Sequence, residues 1–391
     1  MTSAQPRRSS ISRAIAALHA KVGKSELSRK TRIRKVSTEG LPPGWDITVD
    51  PLARPNPDID ADAIRAFLSS RKFPVGLIEA VVNSARCSGK RYYVVDDSTS
   101  MSTEDGRRLI FSESHTGDAF HVGCSRWREL EDELRFQAEL VHASNMQADF
   151  KLLNGHRYHL PKEGAEGYAN LMASFDDPPS GATPLCRVLS EIIDEIENDA
   201  SALLEAHRKA YIIIFTDGLA SDGELLNVLN RVSMLPVWVV VRLSTNEDTV
   251  VDYWRGLDRR MVLDMDVLSS PYHESIDVHE VNAWLSYNYF LHRAREFGIT
   301  LREVDELHDT PLSTNQLRTF TSIILGVPRD LVPAPELHEG HDFCEFVEER
   351  QQHMPEPVVH NLFYRSARAW FNVEILKKKL KKKKKSVCAV L

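Results

Sequence analysis

Residues Tyr92–Met101 read Y-Y-V-V-D-D-S-T-S-M. Four residues suited to a buried strand lead directly into a carboxylate and two hydroxyls with D-x-S-x-S spacing: Asp96, Ser98 and Ser100. In an open α/β sheet, ligands bind beyond the carboxyl ends of the strands, where this strand would deliver those side chains. Carboxylate and hydroxyl oxygens are the ligands that Mg²⁺ prefers. The stretch therefore predicts a strand that ends at a site for a hard divalent cation.

Two further segments fit the same site. Gly181–Leu185, G-A-T-P-L, opens a predicted helix, and Tyr211–Gly218, Y-I-I-I-F-T-D-G, is a second apolar strand that ends in Asp217. Together with D-x-S-x-S, the Thr-Pro turn and the Asp-Gly pair resemble the metal-ion-dependent adhesion site of von Willebrand factor A domains. The resemblance covers roughly Gly89 to Gly298. It implies a doubly wound, Rossmann-like α/β fold with a mostly parallel central sheet.

The resemblance also implies a set of metal-site residues: Asp96, Ser98, Ser100, Thr183 and Asp217. In such a site the two serines bind Mg²⁺ directly, and Asp96 binds directly or through water. The threonine joins directly or through water depending on conformation, and Asp217 lies behind the direct ligands. Mn²⁺ and Ca²⁺ are alternative ions. One coordination position stays open for an acidic group of a partner.

Helix capping is the alternative explanation of these motifs. Asp and Ser side chains satisfy free N–H groups at helix starts, and Pro184 suits a first helical position. Under this reading Ser98 and Thr183 would be caps rather than ligands. Asp97 is left out of the metal site because adjacent strand residues point to opposite faces. Asp222 is predicted to cap the helix that follows it.

Composition places the chain among reduced intracellular proteins. Of 391 residues, 42% are hydrophobic and 27% are charged, enough for one sizeable domain with appendages or for two domains. The five cysteines show no C-x-x-C spacing. Their odd number argues against a disulfide framework. No apolar run approaches the ~20 residues that cross a bilayer.

The charge distribution is uneven. The net charge is −7, yet residues 1–40 carry ten Lys/Arg against two acids, and 377–385 carries eight lysines. Subtracting +8 and +8 from −7 leaves about −23 for the middle of the chain. An acidic body between basic arms is unsuited to binding nucleic acid and favours an anionic surface as the partner of the arms.

The chain ends in a polybasic segment with the lysines Lys377, Lys378, Lys379, Lys381, Lys382, Lys383, Lys384 and Lys385. Cys388-Ala389-Val390-Leu391 then forms a CaaX box whose terminal Leu favours geranylgeranylation of Cys388. One lipid chain binds only marginally, and the lysines supply the second signal for an anionic leaflet. The alternative is a nuclear-localisation or solubilising lysine run with a chance cysteine.

The expected organisation has five parts. They are a disordered basic arm (1–40), a linker and helical collar (41–88), the A-type domain (89–298), a helical appendage (299–376) and the polybasic CaaX tail (377–391). Within them Ser102–Val122, which is long for a loop, is predicted as a rim feature beside the metal, and Val237–Leu243 and Met261–Asp264 are predicted as strands. Cys124–Ala143 is predicted as an amphipathic helix whose inner face consists of Trp127, Leu130, Leu134, Phe136 and Leu140. Val278–Phe297 and Val358–Lys379 are each predicted as one helix, and the second of them contains Trp370 and Phe371.

The sequence favours a binding protein over an enzyme. No P-loop, G-x-S-x-G, H-E-x-x-H or kinase signature is present. The main hypothesis is a lipid-anchored module on the cytoplasmic face of the plasma membrane or an endomembrane. It would bind an exposed Asp or Glu of a protein ligand through Mg²⁺ and would not bind nucleic acid. The alternatives are a Mg²⁺-dependent phosphohydrolase and a scaffold with a vestigial metal site.

Overall fold

The computed structural model describes residues 52–111 and 119–388. The predicted arm 1–40 and the last three residues of the CaaX box lie outside the described residues. The strands are β1 (Ser88–Val95), β2 (Gly106–Phe111), β3 (Ala119–Cys124), β4 (Ala148–Leu152), β5 (Arg157–Leu160), β6 (Lys209–Thr216), β7 (Val237–Leu243), β8 (Met265–Leu268), β9 (Val358–Asn361) and β10 (Ser366–Ala369).

The helices alternate with these strands through most of the chain. They are α1 (Ala61–Ser70), α2 (Val75–Arg86), α3 (Arg126–Ala143), α4 (Gly164–Ser174), α5 (Leu185–Glu205), α6 (Leu225–Val232), α7 (Asp248–Arg260), α8 (Pro271–Asn282), α9 (Tyr289–Glu296), α10 (Arg302–Asp305), α11 (Thr314–Leu325), α12 (His341–Gln351) and α13 (Val373–Cys388).

A six-stranded sheet in the order β5-β4-β1-β6-β7-β8 forms the centre of the fold. Its strands run parallel except β5, which pairs antiparallel with β4. Strand β1 lies in the middle, where Tyr93 faces Phe150 of β4 on one side and Ile213 of β6 on the other. The expected mixed α/β fold with a mostly parallel sheet is therefore confirmed.

Both faces of this sheet are buried. Tyr93 and Val95 of β1 pack into one hydrophobic core, while Tyr92 and Val94 pack into a second core on the opposite face. Helix α5 contributes to the second core and α3 to the first. Burial on both sides explains why 92–95 of β1 and 210–215 of β6 are continuous apolar runs rather than alternating ones.

Helix α3 presents the inner face that its sequence predicts. Its apolar side chains Trp127, Leu130, Leu134, Phe136 and Leu140 are all buried. Ser125 caps the helix by accepting a hydrogen bond from the backbone N–H of Arg128 at 3.3 Å. This cap fixes the start of α3 at the carboxyl edge of the sheet, beside the loop that follows β1.

Within residues 89–298, one predicted rim segment is an ordered hairpin and one predicted helix is wrong. Ser102–Val122 contains β2 and most of β3, which pair antiparallel, and the Glu129 carboxylate accepts from the Arg107 backbone N–H at 2.7 Å. The single helix predicted over Val278–Phe297 is two helices, α8 and α9. The side chain of Asn288 caps α9, so the second helix has its own start.

The predicted strand Met261–Asp264 lies four residues too early. The observed strand β8 pairs Met265 with Val239 of β7, while Val262 is 74% exposed. The sequence of 261–268, M-V-L-D-M-D-V-L, is compatible with a strand in its first four or its last four residues. Pairing with β7 selects the last four.

The C-terminal region is not purely helical. The helix predicted over Val358–Lys379 begins only at Val373, because 358–369 forms the hairpin of β9 and β10. Asn372 caps the shortened helix by accepting from the Ile375 N–H at 3.1 Å. The region shares one hydrophobic core with the collar and the sheet.

Within the described ranges, no helix is both long enough and apolar enough to cross a bilayer.

Candidate metal centre

The candidate centre lies at the carboxyl ends of β1 and β6. The backbone N–H of Asp96 donates to the Phe215 carbonyl at 2.9 Å, so the pairing of these strands continues to the first carboxylate. Asp217 follows β6 by one residue. The strand ends therefore bring Asp96 and Asp217 to the same edge of the sheet, as the sequence predicts.

Asp96 is fully buried, and both of its oxygens accept hydrogen bonds. The Ser98 backbone N–H donates to Oδ1 at 3.0 Å, and the Thr216 hydroxyl donates to Oδ2 at 2.7 Å. Burial raises the pKa of the Asp96 carboxyl, against these hydrogen bonds, which lower it. Asp217 adds to the increase through its own charge. A cation at this position would offset the burial of both carboxylates.

A chain of short contacts joins Ser98, Ser100 and Asp217. The two serine hydroxyls lie 3.0 Å apart, and the Ser100 hydroxyl donates to Asp217 Oδ1 at 2.8 Å. Octahedral Mg²⁺, with ligands at about 2.0–2.1 Å, places neighbouring oxygens about 2.9 Å apart. The 3.0 Å between the two serine hydroxyl oxygens is close to this distance between neighbouring ligands. The oxygen donors present therefore fit Mg²⁺.

Thr183 lies on an adjoining loop that is fastened to the loop after β1. The Ser180 N–H donates to the Asp97 carbonyl at 2.7 Å, and the Thr99 N–H donates to the Gly181 carbonyl at 3.1 Å. Gly181 has φ +99°, and a Cβ there would meet Asn154 Oδ1 at 2.6 Å, so the turn needs glycine. Among the described hydrogen bonds, none joins the Thr183 hydroxyl to the other four residues.

The capping alternative does not describe these hydroxyls. Ser98 precedes a short 3-10 helix, and Thr183 precedes the Pro184 N-cap of α5; neither N-cap residue makes a side-chain capping hydrogen bond. Asp222 instead caps α5, accepting from the N–H groups of Cys186 at 3.0 Å and Arg187 at 2.8 Å. The prediction that Asp222 caps the following helix is therefore wrong.

Asp97 is turned away from the centre. Its Oδ1 accepts from the backbone N–H of Asn154 at 2.8 Å and from the side-chain amide of the same residue at 3.1 Å. The carboxylate therefore braces the loop after β4, and Asp97 acts in positioning the site rather than in forming it.

Two residues that the sequence did not single out complete the surroundings. Thr216 holds Asp96, and Arg126 at the start of α3 donates through Nη1 to Asp217 Oδ2 at 3.0 Å. The same guanidinium donates from Nε to Asp105 at 2.8 Å. The position of Thr216 just before Asp217 could have signalled its role. Arg126 gives no local signal, because its contact depends on where α3 starts.

Hydroxyl groups make up most of the candidate ligands of this centre. Within the described part of the chain, no three His, Cys, Asp or Glu side chains are grouped so that they could hold a metal ion. Here two carboxylates are combined with serine and threonine hydroxyls, so the site would leave more of the cation's charge uncompensated than a carboxylate cage does. Neither a scan against protein-family models nor a search of curated proteins finds a match to this chain.

Proposed function

We propose that this chain is an intracellular, membrane-anchored interaction module of the von Willebrand factor A type. In this proposal Asp96, Ser98, Ser100, Thr183 and Asp217 hold Mg²⁺. The bound ion supplies an open coordination position for a carboxylate of a protein partner. The single observation that supports this most directly is the 3.0 Å separation of the Ser98 and Ser100 hydroxyls beside Asp217.

The strand order supports the A-type fold. Numbered along the chain without the β2–β3 hairpin, the sheet has the order 3-2-1-4-5-6. That order is typical of doubly wound sheets, whose ligands bind where the order reverses, between the first and fourth strands. These are β1 and β6, whose ends bear Asp96 and Asp217.

The kind of ligand favours capture of an acidic group over phosphoryl hydrolysis. Hydroxyls supply three of the five proposed ligands, Ser98, Ser100 and Thr183. Neutral hydroxyls leave more of the positive charge of Mg²⁺ than a cage of carboxylates would, so the ion attracts an incoming carboxylate. We therefore propose a binding protein rather than the phosphohydrolase alternative.

The polybasic helix supports the membrane part of the proposal. Leu376 and Leu380 of α13 are buried, which fastens the start of the helix to the body. At 1.5 Å per residue, the helix would carry Cys388 about 12 Å beyond Leu380. A lipid on Cys388 would then reach a bilayer while the lysines of the same helix meet anionic headgroups. The proposed location is the cytoplasmic face of the plasma membrane or an endomembrane.

Capture of partners from lysate tests the metal-bridged interaction. With Mg²⁺ present, wild-type protein should retain partners that are released by EDTA. Ser100→Ala should retain about tenfold less of them, because a direct ligand of the proposed Mg²⁺ is lost. Ser102→Ala is the matched control, since Ser102 is exposed on the same short helix. Equal retention with EDTA and Mg²⁺ would contradict the proposal.

Membrane fractionation tests the anchor separately. Cys388→Ser should move most of the protein from the membrane to the soluble fraction, because the lysines alone give weak and salt-sensitive binding. Cys344→Ser, which alters a buried cysteine, is the control. Membrane binding of Cys388→Ser that matches wild type at high salt would rule out a lipid anchor at this residue.

A further inference from the structure

An uncompensated cationic surface lies beside the candidate metal centre. The guanidinium carbon of Arg107, on β2, lies 4.4 Å from the ring centroid of Tyr272 at the start of α8. The guanidinium carbon of Arg365, between β9 and β10, lies 4.5 Å from the same centroid. We call Arg107, Tyr272 and Arg365 the arginine–tyrosine surface.

The two arginines are held by an aromatic ring instead of a carboxylate. Among the described residues, neither forms an ion pair, whereas the adjacent Arg108 donates from Nε to Asp132 at 2.8 Å. Cation–π contact uses the faces of guanidinium and ring, so N–H donors at the guanidinium edge remain open to an anion. Arg107 is half-buried and its Nη1 has no hydrogen-bond partner, whereas Arg365 is exposed.

The positive potential of this region also affects its histidines. Burial, His360, Arg365 and Arg107 lower the pKa of His121 on β3 to about 4. Its Nε2 lies 3.3 Å from Nε2 of His360 on β9, so a neutral pair joins the two hairpins. Arg365 itself is exposed and has φ +52°. Backbone strain of this kind clusters at functional sites.

Arg126 connects the metal centre to the start of β2, the strand that bears Arg107. Arg126 contacts Asp217 of the centre and also Asp105. Asp105 precedes Arg107 by only two residues, and at the spacing of a strand their Cα atoms lie within about 7 Å. A single extended segment of a partner could therefore contact the metal centre and the surface together.

We propose that the arginine–tyrosine surface binds an acidic segment of the same protein partner that supplies a carboxylate to the metal. This inference rests on the proposed function. The argument is charge complementarity. Two guanidinium groups without an ion pair among the described residues share one aromatic ring in a body with a net charge near −23, where most other arginines contact carboxylates. Carboxylates offer the geometry that two guanidinium forks accept.

A defined acidic probe tests the proposal. The probe is a fluorescein-labelled pentapeptide of alternating glutamate and serine, with binding to the full chain measured by fluorescence anisotropy at physiological salt with Mg²⁺. The double variant Arg107→Gln with Arg365→Gln should bind about tenfold more weakly, as expected for the loss of charge-assisted hydrogen bonds. Arg350→Gln is the control, because Arg350 is exposed and lies 5.5 Å from the Phe346 ring centroid.

The outcomes separate this inference from the proposed function. If the double variant binds the peptide like wild type while EDTA or Ser100→Ala weakens binding, the proposed role of the arginine–tyrosine surface is wrong and the metal-bridged function stands. If the double variant loses binding but EDTA has no effect, the surface is supported and the metal-bridged function fails. Should the double variant not fold, Arg365→Gln alone serves, since Arg365 is exposed.

Two further binding measurements identify which molecule occupies the arginine–tyrosine surface. A fluorescein-labelled oligothymidylate of equal charge should bind wild type no better than it binds the double variant. If wild type instead binds the oligothymidylate more tightly than the peptide, and the double variant does not, the surface binds nucleic acid and the proposal of an acidic protein segment is wrong. Glu113→Gln with Asp118→Asn should leave peptide affinity unchanged. An increase of about fivefold would instead assign the surface to the chain's own acidic residues between β2 and β3.

Discussion

The free energy of unfolding is expected to decrease by about 4 kcal/mol between pH 6 and pH 9 through two buried carboxyl groups, because Glu133 and Glu296 must ionise in the folded state. Burial and the charge of Glu296 raise the pKa of Glu133, on α3, to about 8. Burial raises the pKa of Glu296, on α9, to about 7, against the neighbouring Arg242. Both groups have an ordinary pKa of 4.5.

The direction follows from which state holds the protons. Above pH 4.5 the unfolded chain loses these protons while the folded state keeps them, so stability falls as pH rises through about 7 and 8. His308 acts in the same direction, because Glu274 raises its pKa to about 9 despite burial. Burial lowers the pKa of His292 to about 3, so its contribution is lost instead as pH falls below 6.5.

Urea unfolding at a series of pH values measures this effect. Glu133→Gln should flatten the decrease on the alkaline side, because an amide does not titrate. Its single oxygen can accept from Gln137 or from Arg293, whereas the two oxygens of Glu133 accept from both. Glu139→Gln is the control on the same helix, where the carboxylate is 37% exposed and paired with Arg71. An alkaline slope identical in Glu133→Gln and wild type would show that another group causes it.

The sheet could be predicted well because its strands are buried on both faces. Val237–Leu243 was predicted as a strand and is β7 without any change of bounds. A continuous apolar run between polar loops leaves few alternatives for its ends. Met261–Asp264 failed for the opposite reason, since Asp264 and Asp266 give two equally amphipathic windows that only pairing with β7 distinguishes.

The hairpins were missed because their stabilising contacts come from elsewhere in the chain. β2 contains consecutive arginines, and its register depends on Glu129 and Asp132 of α3, which the local sequence does not reveal. β9 contains two valines that favour a strand, yet Trp370 and Phe371 suggested a helical face. Trp370 and Phe371 are buried, and α13 begins only at Val373.

The local motifs predicted the edge at which the candidate site lies but not its supporting contacts. Asp96 and Asp217 follow neighbouring strands, so sheet geometry alone brings them together. Arg126 lies at the start of a helix that follows a hairpin, and its contact with Asp217 spans 91 residues of sequence. Long-range ion pairs of this kind depend on tertiary packing and carry no periodic signal.

The combined variant Ser98→Ala with Ser100→Ala is expected to bind Mg²⁺ at least 10- to 100-fold more weakly than wild type, the range seen when supporting contacts of metal sites are removed. The two serine hydroxyls lie at the spacing of an octahedral edge, so their loss leaves only Thr183 and two carboxylates that already accept other hydrogen bonds. Folding should change little, because Ser100 is exposed and alanine fills the buried position of Ser98 without a polar group.

Isothermal titration calorimetry with MgCl₂ measures this directly, and Ser102→Ala should bind like wild type. Competition with Ca²⁺ adds a second readout, because a site held by two short serine side chains constrains ligand distances more tightly than Ca²⁺ requires. We therefore expect Mg²⁺ and Mn²⁺ to bind with similar stoichiometry and Ca²⁺ to displace them only in excess. If wild type takes up no Mg²⁺ at millimolar concentration, the centre is vestigial and the domain acts as a scaffold through its surfaces alone.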